Sequence, residues 1–233
     1  MIRLRRQRPA AGFSLLELLV VVALIAGLAA VLLGGFRRGD RAADLHAGQA
    51  ALSHLVALGR TRAVATGADT RLLVNFETES GRFLRFAVLQ GERGGGWETL
   101  ATATFPDGIY VVPGNTDLPA GLFAPERAWT KPDGGDFRSA LLTGEMTTAT
   151  VDAARAETWI GFGFSSLGNL KRLGLGPPPT GDRDLIVATA RIVPPPQRAP
   201  GGAPIQFDNP VAARGLRVSA YGLAVPLGGR EGL

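Results

Sequence analysis

A single carboxylate, Glu17, sits inside an apolar run that follows an arginine-rich start, and no other feature narrows the fold so much. An ionised group in hydrocarbon costs several kcal/mol by most estimates, so a glutamate here marks function by default. Upstream lie Arg3, Arg5, Arg6 and Arg8, with Gly12 at the boundary. Downstream, 18–33 carries neither charge nor proline. The 24 residues of 13–36 would make a helix about 36 Å long, enough for a hydrocarbon core of about 30 Å. Beyond them Arg37, Arg38 and Arg41 are offset by Asp40 and Asp44. The arginine excess on the N-terminal side predicts that this side stays in the cytoplasm.

An ordinary signal anchor or a secretory signal peptide also has a basic start and an apolar core. Gly27-Leu28-Ala29 offers the small spaced pair that a conventional signal peptidase wants. Neither alternative accounts for a glutamate early in the core, or for a glycine where basic and apolar segments meet.

Gly12-Phe13-Ser14-Leu15-Leu16-Glu17 resembles the class III signal of type IV pilins and type II secretion pseudopilins. The resemblance implies that a prepilin peptidase cuts between Gly12 and Phe13 and that Phe13 is N-methylated. Glu17 becomes the fifth mature residue. It would pair with the terminal amine of a neighbouring subunit, offset two buried charges and fix the axial register between helices. Leu15, Leu16, Leu18, Leu19 and Val20 would supply the apolar surface of a filament core. Gly12 suits its place because a residue without a side chain lets the scissile bond approach the enzyme closely. The leader arginines suit a cytoplasmic surface rich in anionic lipid.

Composition removes several function classes. The net charge of +5 looks like a nucleic-acid signal, but four of the 25 basic residues lie in the leader. Past it, 21 basic residues face 20 acidic ones, so no nucleic-acid partner is expected. With no cysteine there are no disulfides, thiolate metal sites or cysteine nucleophiles. Glycine and proline, 32 and 16 residues, make about a fifth of the chain, which suits a turn-rich β domain.

The helical signal continues past the apolar run. Leu45, Leu52, Leu55, Val56 and Ala63 recur at helix-like intervals, with Arg41, Asp44, Gln49, Arg60 and Arg62 mostly on other faces. One helix from 13 to about 65 would be about 80 Å long. Gly27, Gly34 and Gly35 weaken it, each costing about 1 kcal/mol against alanine. Gly34 stands where many major pilins carry a helix-breaking proline.

After Gly67 the pattern changes to strands. They are expected at 71–76 and 82–89 around a hairpin loop, then at 97–105 and 108–112 after a glycine-rich turn at 91–96. Further strands are expected at 157–164, 184–193, 216–221 and 223–227. The stretch 115–146 reads as a long irregular insertion, a common place for function. Pro177-Pro178-Pro179 and Pro194-Pro195-Pro196 cannot join a central strand.

One long helix followed only by strands predicts an α+β class. It resembles the pilin-like plan, an N-terminal helix with a membrane half and an amphipathic half on an antiparallel β domain. Three stretches are most similar to the GspH/FimT group: 58–67, Phe162-Gly163-Phe164-Ser165-Ser166-Leu167-Gly168, and 217–225. The expected division is a leader at 1–12, a transmembrane half at 13–36, an amphipathic half at 37–66, and an extracytoplasmic β domain at 67–233.

Enzyme chemistry finds little support. His46 and His54 lie about 12 Å apart on a helix, too far to share a metal. Gly91-Glu92-Arg93-Gly94-Gly95-Gly96 lacks the Gly-Lys-Ser/Thr ending of a phosphate loop. Asp182 and Asp184, or Asp133, Asp136 and Glu145, could serve a calcium site but read more simply as solvated loops. Trp129 and Phe137 read as packing beneath the insertion or as a partner contact. No catalytic residue, metal or cofactor is expected. The resemblance implies a minor pseudopilin of a type II secretion system. Its partners would be the prepilin peptidase, other pseudopilins or pilins, an inner-membrane assembly platform and membrane lipid. The alternatives are a minor type IV pilin or a membrane-anchored extracytoplasmic ligand-binding module. The expected location is the inner membrane, single-pass, with the β domain outside the cytoplasm.

Overall fold

The structure, a computed structural model, describes residues 15–114, 117–130, 137–143, 146–151, 155–174, 176–207 and 210–228. Within them, the side chains of residues 17, 28–40, 126–127 and 211 lie outside the description. The chain divides into two compact units, Met1–Ala42 and Ala43–Leu233. A helix, α1 (Leu15–Thr66), begins in the first and ends in the second.

The second unit is built on two antiparallel sheets. Sheet A runs β3 (Gly96–Thr104), β2 (Phe86–Arg93), β1 (Thr70–Asn75), β6 (Glu157–Phe164) and β5 (Thr147–Ala149), with β7 (Leu170–Arg172) also paired to β6. Sheet B runs β11 (Ala224–Leu227), β10 (Ala213–Val218), β8 (Arg183–Ile192) and β4 (Ile109–Val111), with β9 (Ile205–Phe207) paired to β8. The C-terminal part of α1 packs on both. Its Leu45, Leu52, Leu55, Val56 and Ala63 are all buried in the main core with Leu72, Val74, Leu89, Phe164, Ile186 and Leu216. A Cβ on Gly48 would lie 2.9 Å from Ile109, and one on Gly59 2.9 Å from Leu89, so these glycines let the helix sit close to both sheets.

Gln49, expected on an outer face of this helix, is buried. Its amide nitrogen donates to the carbonyls of Gly215 at 2.6 Å and Leu227 at 2.9 Å, tying the helix to β10 and the end of β11. Alternation along β1 explains a second, smaller core. Leu72 and Val74 face the helix, while Leu73 packs on the outer face of sheet A with Phe86, Val88 and Trp159.

The expected strand at 82–89 begins only at Phe86. Phe83 and Leu84 are adjacent and both buried in the same core, which a strand with alternating faces cannot arrange. The chain turns instead. Leu84 takes φ +54°, its N–H donates to the Asn75 carbonyl at 2.8 Å, and its own carbonyl accepts from Val111 at 2.8 Å. Further on, the glycine-rich turn shrinks to Gly94 and Gly95, both with positive φ, as a two-residue hairpin requires.

The expected pilin-like α+β fold is corrected. The protein is mostly antiparallel sheet, and the helical stretch that enters its core is short, 43–66. Among the described residues no helix is long and apolar enough to cross a membrane. The expected membrane half, and with it the single-pass inner-membrane placement with an extracytoplasmic domain, has no structural basis here.

Candidate functional site

The two residues of the expected cleavage site, Gly12 and Phe13, lie outside the described residues. Glu17 is in the first turns of α1, but its side chain is outside the description. Its neighbours are described. Leu15, Leu16, Leu18, Leu19, Val20, Val21, Val22, Leu24 and Ile25 are all exposed, by 45–84%. They include the five expected filament-core residues. Large aliphatic side chains at every phase of a helix leave no polar face for water, so such a segment needs a cover.

The other candidates from the sequence disperse. His46 and His54 are both exposed on α1. Asp184 is taken by Arg217, whose Nε and a terminal guanidinium nitrogen donate to its two oxygens at 2.9 and 3.2 Å. That bond and the charge of Asp184 push the Arg217 guanidinium above its usual range. Asp182 is exposed, and Asp133, Asp136 and Glu145 lie outside the described residues. Among the described residues no group of three histidines or carboxylates could hold a metal ion. Trp129 and Phe137 are buried, and Trp129 packs on Phe123 and Phe207 at 5.0 and 5.5 Å between ring centroids. The described part of the insertion therefore packs Trp129 and Phe137 into the main core, with Trp129 against Phe207 of β9.

Sequence reasoning missed a cluster on the outer face of sheet A. Strand pairing sets Arg71 of β1 opposite Gln90 of β2 and Gly163 of β6, and sets Gly163 opposite Lys171 of β7. Gly163 has no side chain, and a Cβ there would meet the Thr70 carbonyl at 2.7 Å. A trough therefore opens between the two cations, a cavity of about 190 Å³ that also takes in Asp69, Trp97, Thr147 and Arg172. The Arg71 head is fixed from two sides. Its Nε donates to Gln90 Oε1 at 2.8 Å, and its Cζ lies 4.1 Å from the Trp97 ring centroid. Half-burial lowers its pKa from the usual arginine value, and among the described residues no carboxylate pairs with it. Lys171 is ion-paired to Asp69, whose other oxygen accepts the Ser166 N–H at 3.1 Å. The only local signals were Arg71 in phase with Leu73 and a tryptophan after a glycine turn. The pairing of β1 with β6 and β7 is what brings them together.

Comparison with protein families, with curated proteins and with solved structures finds no match to this chain.

Proposed function

We propose that the chain is a minor pseudopilin-like structural subunit of a type II secretion system, cut between Gly12 and Phe13 by a prepilin peptidase and methylated on Phe13. The observation that carries this reading is the exposed apolar start of α1, nine large side chains around one carboxylate position. Covering each of them fully is worth about 1.5–3 kcal/mol, and equivalent helices of neighbouring subunits are a natural cover. Glu17 then accepts from the terminal amine of a neighbour, so that both charges are matched in the assembled helix bundle. The subunit acts by packing, with other pseudopilins and the assembly platform as partners and no catalytic step of its own.

The N-terminal sequence and intact mass of protein purified from its own cells test the first half. The reading requires a chain that starts at methylated Phe13. A chain that starts near Ala30, or one that keeps Met1, refutes it. Cross-linking of Glu17→Ala in assembled material tests the second half: the variant is cleaved but left out of the assembly. Cleaved Glu17→Ala that co-assembles normally removes the role given to the carboxylate.

A further inference from the structure

The trough on the outer face of sheet A has the chemistry of a small-ligand site, and its charges narrow the ligand. At about 190 Å³ it holds about six waters, and it is smaller than the roughly 300–1,000 Å³ of sites for drug-sized molecules. Asp69 already neutralises Lys171. Arg172 is exposed at the rim, where solvent screens it. What remains is one half-buried guanidinium, held in place by Gln90 and Trp97 and lacking a carboxylate partner among the described residues. Guanidinium binds carboxylate or phosphate through paired N–H donors, so the other charges of the lining decide between them. A dianionic phosphate would bring its second charge against Asp69 in the same lining. A purely apolar carboxylate would set C–H groups against the Asp69 carboxylate and the Thr147 hydroxyl and offer neither a polar partner. Trp97, 42% exposed, is the only described tryptophan open to solvent, and it offers an apolar wall for C–H groups.

We propose that this trough binds a hydroxylated monocarboxylate of the size of one sugar-acid unit, with its carboxylate on Arg71, its hydroxyls toward Asp69 and Thr147, and its ring against Trp97. The site is independent of the assembly reading, since it lies wholly on the Ala43–Leu233 unit and uses no residue of the N-terminal helix segment.

Calorimetric titration of the full chain with D-galacturonate, D-galactose and inorganic phosphate tests it, with Trp97 fluorescence as a second readout. Saturable binding of galacturonate is expected, with galactose and phosphate each weaker by about tenfold or more. Arg71→Gln should weaken galacturonate by about tenfold or more. Arg93→Gln should leave it unchanged, because Arg93 sits on an exposed pair with Glu98 beyond the trough. Lys171→Ala frees Asp69 to compete for the guanidinium and should also weaken binding, a check that stands if Arg71→Gln fails to fold. No saturable binding of galacturonate overturns the proposal. So does galactose binding equally well, phosphate binding more tightly, or a folded Arg71→Gln that binds as the parent does.

Discussion

Gln49→Leu separates a fold held by one specific buried amide from one held by apolar packing alone. The side chain is buried on the C-terminal half of α1 and donates to two carbonyls, Gly215 at 2.6 Å and Leu227 at 2.9 Å. Leucine keeps the volume and removes both donors. The Gly215 carbonyl is in a buried setting, and an unsatisfied buried acceptor costs about 1–3 kcal/mol. Leu227 is part-exposed at the edge of sheet B, so water replaces much of what it loses. The added apolar contact of leucine offsets a fraction of the loss. The expected net destabilisation is about 2 kcal/mol, or a drop in Tm of about 4–8 °C for a unit of this size. Thermal melting of the full chain by circular dichroism reads it, with His54→Ala on the exposed face as the reference. Gln49→Glu sharpens the test. A carboxylate facing two carbonyl oxygens has no donor and adds repulsion, so it should destabilise more than leucine at neutral pH. Its folded-state pKa is raised, so the folded state binds more protons than the unfolded one, and the deficit shrinks as pH falls. A Gln49→Leu loss below about 0.5 kcal/mol, as for an ordinary surface change, refutes the reasoning. A glutamate variant as stable as the leucine one does so equally.

Gly161→Ala should prevent the Ala43–Leu233 unit from folding cooperatively, because its Cβ would stand 2.1 Å from the Leu72 carbonyl in the adjoining strand; a normal melting transition would show that β1 and β6 are not so paired. Tyr110 has its pKa raised, first by burial, with Asp107 adding to the shift and Arg85 opposing it. The stability it contributes is full below the free tyrosine value of about 10 and is lost as pH rises through the higher folded-state value. Tyr110→Phe should therefore lose stability less steeply than the parent in alkaline urea titrations, and parallel curves would refute this. Asp184→Asn breaks the Arg217 pair, which is part-exposed on the Arg217 side, and should cost no more than about 1 kcal/mol in the same assay.

What could be read from the sequence depended on the range of the interaction behind it. β1, β3, β6 and β8 are runs of six to ten residues bounded by turn residues, and the sequence predicts them to within a few residues, while β4 is legible from the Gly108 and Pro113 that bracket its apolar run. β5, β7 and β9 are three residues each, too short to show a period, and they exist because a longer neighbour pairs with them. The five apolar helix positions were legible because burial on one face repeats every turn. Gln49 was not, since its partners lie 166 and 178 residues away and a buried glutamine looks like a surface one. Adjacent Phe83 and Leu84 read as strand residues, but the main core takes both. The two proposed functional features divide in the same way. The Gly12–Glu17 motif is a short string, fully visible in the sequence, while the apolar run behind it showed hydrophobicity without showing what covers it. The trough is the opposite case: Arg71, Trp97, Gly163 and Lys171 span a hundred residues, and each has an ordinary explanation alone. Only the register of four strands makes a side-chain gap between two cations, and that register is fixed by the core on the other face of the sheet. A site formed this way depends on the packing of Leu72 and Val74 as much as on its own charges.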